Sequence, residues 1–445
     1  MEGGIPLNLA KVEASITEEL IDLGRELALN RGTMERLLPE LLDPKYPKAW
    51  GLMQGVLSCV EDVQEFWSWF EVRLAELDPQ NPNANLVIGI VRSLLEKDPA
   101  FACAVLDRML EHAHFGRIFP LVQIWLPFDA EASRRLIRSA RLGLASIYDF
   151  QYLGHGRRHE ALDDEHLIEV LEAIGEHADG LEVALEILGM RFHGLSEGDY
   201  RPDPVMVTFT QRFLTELLPI DSAHDYQIST LIPVAFEGRE SYSVAVAFSQ
   251  RLAEYQNVSW GARNLSQTFA AIVRLHPLAL LDGYLMQLDS EKSLRPGYSA
   301  SPSDPSGIST EDPFREISDE LMAEWCGMDQ EVRQCRLARF VRLYRYDPQA
   351  QRVAWRDFVM QMIIESKRPL LLLEDIYQGF CSGHWSSSYA DIMSHYLPLL
   401  RDLEVLERDD IAEWAAVKMD LLNQEIADWR ERHENRNASE LRGFE

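Results

Sequence analysis

Between Gln151 and His193 the apolar residues recur twice with the period of an α-helix, separated by a short break. Leu167, Val170, Leu171 and Ile174 fall at i, i+3, i+4 and i+7, on one face of a helix of 3.6 residues per turn. Asp163, Asp164 and Glu165 stand ahead of them, where carboxylates cap free N–H groups and suit the helix dipole. After the break, Asp179-Gly180-Leu181-Glu182 has the spacing of a capping box, with Asp in place of Ser or Thr. It predicts a second helix striped by Leu181, Ala184, Leu185, Leu188 and Phe192. Two amphipathic helices so close in sequence are antiparallel neighbours. Each has one apolar face, so the pair cannot bury itself alone and needs further pairs beside it.

The rest of the chain supplies them. Strand signals are nearly absent, whereas helical periodicity recurs almost everywhere. A coarse reading gives about twenty helices, roughly one per 22 residues, in line with helix pairs repeating at about 40–47 residues. Asp-Pro pairs at Asp43, Asp78, Asp98, Asp203, Asp304, Asp312 and Asp347 read as helix starts, with Asp capping and Pro at the first helical position. Periodic apolar stretches follow three of them, at Ala100–Leu110, Val205–Leu217 and Ala350–Ile363. The aromatic cluster Phe66, Trp67, Trp69 and Phe70 is read as packing between helices rather than as a docking patch. The apolar segment Ile118–Phe128 reads as a helix buried on most sides, and about 409–433 as a final helix with Ile411, Ala415, Leu422, Ile426 and Trp429 on one face.

The predicted fold is therefore all-α, an irregular α-solenoid of antiparallel helix hairpins of HEAT or armadillo type. Signature residues of the tetratricopeptide and ankyrin arrays are missing. The expected organisation is an N-terminal helical cap over 1–45, a solenoid over 46–288, a loop or linker rich in Ser and Pro over 289–313, and helical hairpins continuing the array over 314–445.

Composition narrows the function. A net charge of −29 repels polyanions, so nonspecific nucleic-acid binding by the whole surface is not expected, though a local basic patch remains open. Five scattered cysteines without a CxxC form neither a disulfide framework nor a zinc-finger pattern. The N-terminus lacks the charged and apolar regions of a secretory signal, and the longest apolar segment is too short for a bilayer. The expectation is a cytoplasmic protein without a membrane partner.

GxxxxGK[ST], GxGxxG after a strand, HExxH and GxSxG are all missing, and no cofactor, metal or catalytic residue is expected. His155 and His159 are four apart, but Gly154 and Gly156 argue against a helix that would present both. Arg333, Arg336, Arg339, Arg342 and Arg345 recur every third residue, a slanting stripe on a helix, and Arg134, Arg135, Arg138, Arg141, Arg157 and Arg158 form a second cluster. Either these meet an acidic partner or a phosphate backbone, or they pair with carboxylates of neighbouring helices; with 72 acidic residues present, the pairing reading is preferred.

Two stretches carry a family resemblance. One is QYLGHGRRHEALDDEHLIEVLEAI with DGLEVALEILGMRFH; the other is FCSGHWSSSYADIMSHYLPLLRDL with IAEWAAVKMDLLNQEIADWRERHENR and the end Gly443-Phe444-Glu445. Together, over about 95–445, they resemble the HEAT-like C-terminal sensor or scaffold regions of large bacterial conflict and anti-phage defence proteins of STAND/NACHT and related type. Trp385-Ser386-Ser387-Ser388 stands where that pattern has Trp-Ser-Gly-Ser, and no effector motif accompanies the array. The resemblance implies a non-catalytic array that binds a protein, either an effector enzyme or a phage protein. The candidate partner-binding residues are His155, Arg157, Arg158, His159, Arg336, Arg339, Arg342 and Trp385. A nucleic-acid-binding solenoid acting through the arginines, and an enzyme with an unrecognised helical site, are the alternatives.

Overall fold

The computed structural model describes residues 9–193, 201–218, 222–258, 265–288, 314, 316–347, 349–380 and 389–442. Among these the chain is mostly helical, with one two-stranded sheet. It forms two compact units that divide after Phe209.

The first unit contains α1 (Leu9–Ala28), α2 (Arg31–Leu41), α3 (Ala49–Cys59), α4 (Val63–Leu77), α5 (Ala84–Lys97), α6 (Pro99–Met109), α7 (Phe115–Ile124), α8 (Ala130–Leu142), α9 (Asp164–Gly175) and α10 (Gly180–Phe192), and the start of α11 (Pro204–Leu217). Alternate helices pack on each other, α1 on α3, α3 on α5 and α5 on α7, while α8, α9 and α10 pack in sequence. The α1–α3 crossing is a backbone contact. A Cβ on Gly24 would lie 2.1 Å from the Leu52 carbonyl oxygen, and one on Gly55 would lie 2.0 Å from that of Ile21. Trp67, Phe70, Phe115 and Phe119 fill the core beneath, all but excluded from solvent.

The second unit contains α12 (Asp225–Ala235), α13 (Tyr242–Val258), α14 (Ser266–Leu275), α15 (Pro277–Leu280), α16 (Asp319–Met328), α17 (Gln330–Phe340), β1 (Tyr344–Asp347), β2 (Arg352–Trp355), α18 (Asp357–Glu365), α19 (Pro369–Gln378), α20 (Tyr389–Ser394), α21 (Leu397–Glu404) and α22 (Asp409–Arg442). Alternate helices again pack together, α12 on α14, α16 on α18, α17 on α19 and α20 on α22.

One device recurs in both units. Asp164, in the first turn of α9, accepts from the Asp203 N–H just before α11, 39 residues on. Asp225, opening α12, accepts from the Gln267 and Thr268 N–H groups of α14, 42 and 43 residues on. Asp319, opening α16, accepts from the Asp357 N–H of α18, 38 residues on. Each aspartate caps the helix two further along, which satisfies donors that a helix start leaves open.

The structure corrects several expectations. Asp179 caps nothing; it is left-handed (φ 61°), and its carboxylate accepts from the Tyr148 hydroxyl at 3.1 Å. The cause is the tightness of the α9–α10 turn, where a Cβ on Gly180 would lie 1.9 Å from the Ile174 oxygen. Asp163 does cap α9, through the His166 N–H. Among the Asp-Pro pairs, Asp98 caps α6, but Asp78 is the left-handed end of α4 and Asp43 accepts from Lys45 N–H in a turn. The helix expected over Ala350–Ile363 is instead β2 followed by α18. β2 pairs antiparallel with β1, Tyr344 opposite Trp355 and Asp347 opposite Arg352. The loop expected over 289–313 lies outside the described residues.

Candidate functional site

The corner ahead of α9 holds four of the residues singled out in the sequence, His155, Arg157, Arg158 and His159. A 3₁₀ helix, Ile147–Leu153, leads into it, and Gly156 (φ 60°) and Arg157 (φ 58°) turn the chain left-handed. Glycine adopts that conformation freely; arginine does so at a cost of about 1 kcal/mol or more. The corner is held from beneath. His159 is wholly buried, and its Nδ1 donates to the Leu153 carbonyl at 3.1 Å. That bond places the proton on Nδ1 and leaves Nε2 as a buried acceptor with no donor among the described residues. Burial holds the His159 imidazole below its ordinary pKa, with Arg191 adding to the effect. Arg191 of α10 donates to the His159 carbonyl at 3.2 Å and pairs with Asp164 at 2.8 Å. Asp149, in the 3₁₀ helix, has its pKa raised to about 6 by burial.

What the corner presents is Arg158. Its guanidinium lies 4.6 Å from the centre of the Trp125 ring. On the other side Arg92 of α5 donates to the Trp125 carbonyl at 3.1 Å and lies 5.8 Å from the Trp50 ring. Tryptophan and arginine thus alternate across α3, α5, the end of α7 and the corner. Arg92, Trp125, Phe128 and Arg158 line a groove of about 490 Å³, with Leu95 and Pro127 adding apolar wall; Glu96, exposed and ion-paired to neither arginine, lines it too. Neither arginine meets a carboxylate among the described residues. Seven of the ten other cluster arginines do.

Arg134 pairs with Glu131, Arg135 with Asp107, Arg138 with Glu111, Arg141 with Glu176 and Arg157 with Glu160. The row from Arg333 to Arg345 is not one helical stripe. Arg333, Arg336 and Arg339 lie on α17, Arg342 in the loop after it and Arg345 on β1. Arg333 pairs with Asp282 at 3.1 Å, Arg336 donates to the Leu288 carbonyl at 2.6 Å, and Arg342 is only 8% exposed. Trp385 lies outside the described residues. His155 is exposed and His159 buried, so the two do not form a shared ligand face. The sequence points to Arg158 but not to Arg92, nor to Trp125 and Phe128, which fall in the Ile118–Phe128 segment expected to be a buried helix. The signal lay in Pro127 and Asp129, which end α7 at Trp125 and start α8, leaving Trp125 and Phe128 half-buried.

One pairing has the look of nucleophilic chemistry. Ser241 Oγ and His276 Nε2 are 3.1 Å apart. Yet His276 Nε2 also lies 2.7 Å from the Phe236 carbonyl, and the Ser241 hydroxyl faces three carbonyls in a buried turn. The pair ties that turn to α14. Among the described residues no three His, Cys, Asp or Glu side chains are grouped to hold a metal ion, and no helix is long and apolar enough to cross a membrane.

Compared with protein-family models, characterised proteins and solved structures, the chain matches none.

Proposed function

We propose that this protein is a HEAT-like α-solenoid that docks another protein and serves as a cytoplasmic sensor or scaffold without catalysis of its own. The repeat architecture is supported by the packing of alternate helices and by aspartate caps that reach two helices along at a near-constant spacing of 38–43 residues. The observation that carries the docking reading is the left-handed corner at Gly156-Arg157. It is clamped by His159, Arg191 and Asp164, and it sets Arg158 against Trp125. Strained backbone held by buried groups is characteristic of recognition sites. The resemblance to defence-protein arrays supports an effector enzyme or a phage protein as the partner. Nucleic-acid binding stands second, because the arginines on which it draws largely face carboxylates or carbonyls.

The test is affinity purification from the native host, with and without phage challenge. One protein is expected to co-purify in near-stoichiometric amount, and the purified chain is expected to leave DNA, RNA and NAD intact. Turnover of any of these by the chain alone overturns the reading, as does failure to capture any protein under both conditions.

A further inference from the structure

We infer that the Arg92–Arg158 groove takes an extended segment of a partner protein that carries a Glu or Asp side chain next to a large apolar one. The inference rests on the protein-docking reading above and names the chemistry of its ligand.

Charge is the first argument. Acidic residues outnumber basic ones 72 to 43, and most other arginines of this unit sit against carboxylates, Arg36, Arg108 and Arg117 being exceptions. Arg92 and Arg158 have instead a carbonyl and ring faces as their partners. A guanidinium stacked on an indole keeps its edge N–H groups outward, where they match the two oxygens of a carboxylate. Both arginines are half-buried, so an ion pair formed there is screened less than one on the open surface.

The walls supply the second argument. Trp125, Phe128, Pro127 and Leu95 give the groove apolar surface beside the two cations, and one anion, Glu96, leaves its charge net positive. An aromatic or branched aliphatic side chain adjoining the carboxylate would cover it. Two cations in a chain of net charge −29 suit a single carboxylate better than a phosphate backbone, which gains by neutralising many charges at once.

The probe is a set of 12-residue peptides, capped at both ends and of random flanks, around fixed Glu-Phe, Gln-Phe and Glu-Ser cores, with a dT12 oligonucleotide as the polyanion. The full chain is expected to retain Glu-Phe peptides at least tenfold better than either substituted core, and to retain dT12 least. Arg158→Gln should abolish that preference. Arg138→Gln, which breaks the ion pair to Glu111 away from the groove, should leave it intact. Arg158→Lys should recover only part, because a lysine keeps the charge but not the planar stack. Retention indifferent to Glu→Gln or to Arg158→Gln overturns the proposal, and so does preferential retention of dT12. If the host protein is captured equally by wild type and Arg158→Gln, the ligand chemistry falls while protein docking stands. If no host protein is captured at all, the docking reading itself falls.

Discussion

The Arg191 guanidinium lies 2.8 Å from the Asp164 carboxylate, with the two side chains only 9% and 4% exposed. Both groups have second tasks, since Arg191 also holds the His159 carbonyl and Asp164 the Asp203 N–H. Breaking a buried pair by removing one partner leaves a stranded charge and typically costs about 3–5 kcal/mol. Arg191→Met and Asp164→Asn should each lower the unfolding free energy obtained from urea titration by an amount in that range. The double variant should lose less than the sum of the two. Single variants within ~0.5 kcal/mol of wild type would remove the pair as the anchor of the corner.

His159 should make the fold sensitive to mild acid. Its buried Nε2 has no hydrogen-bond partner among the described residues, so protonation would create a donor with no acceptor. Burial lowers its affinity for the proton, as do Arg191 and Arg157, whereas the Leu153 carbonyl and Glu160 raise it. The unfolded chain takes up the proton near the ordinary value of about 6.5, before the folded one does. Stability therefore falls as pH drops below about 7 and levels off only beneath the folded-state value. His159→Gln keeps a donor toward Leu153 but does not titrate. Denaturant titrations at pH 7.5 and 5.5 should show a shallower loss in that variant than in wild type.

Asp149 works in the opposite sense. Burial raises its pKa to about 6, so at neutral pH the folded state carries a carboxylate that would be better solvated in the unfolded chain. As pH falls through 6 the folded state gains the proton first, and the penalty is relieved. Asp149→Asn should stabilise the protein at pH 7.5 by about 1 kcal/mol, a figure reduced for its partial contact with solvent. That gain should vanish near pH 4. A stabilisation equal at both pH values would point to a cause other than the buried charge.

Two helical glycines should respond oppositely to alanine. A Cβ on Gly55 would lie 2.0 Å from the Ile21 carbonyl oxygen, a clash with backbone that forces α1 and α3 apart. A Cβ on Gly32 would meet only the Asn30 side-chain oxygen at 3.7 Å. Gly55→Ala should cost roughly 2 kcal/mol or more through overpacking, while Gly32→Ala should gain about 0.5–1 kcal/mol from a stiffer unfolded chain. Thermal melts of the two variants side by side provide the check.

The stripe of α9 was legible although that helix packs on both α8 and α10. Leu167, Val170, Leu171 and Ile174 are all buried, as the period requires. In α10 the stripe was incomplete, because Val183 and Ile187 are buried too. That helix packs against α9, the 3₁₀ helix Ile147–Leu153 and the corner together, and contacts on several sides erase the amphipathic signal. Asp179 misled because a capping box is a local pattern, whereas its conformation is set by how closely Gly180 approaches Ile174. Half the candidate groove escaped for a related reason. Arg92 and Trp125 are far apart in sequence and meet only when α5 packs on α7. Arg158 drew notice through its neighbours in sequence, not through the ring it covers.

The arginine row shows what the β-hairpin changes. A continuous helix over 333–345 would have left Arg342 on the same slanting surface as Arg339 and Arg345. α17 ends at Phe340, and the chain turns into β1 with Arg342 nearly buried and 5.7 Å from the Tyr344 ring. Arg345 remains exposed and pairs with Asp357 at 3.0 Å, a contact in open solvent. Arg342→Glu should therefore destabilise by about 3 kcal/mol or more, because a carboxylate there is buried against a ring face. Arg345→Glu should cost about 1 kcal/mol or less, since it removes a surface ion pair and introduces a repulsion that solvent and salt screen. Thermal unfolding of the two variants at low and moderate salt separates the cases. Only the Arg345→Glu effect should shrink as salt rises, and equal, salt-sensitive losses at both positions would return the row to a single exposed face.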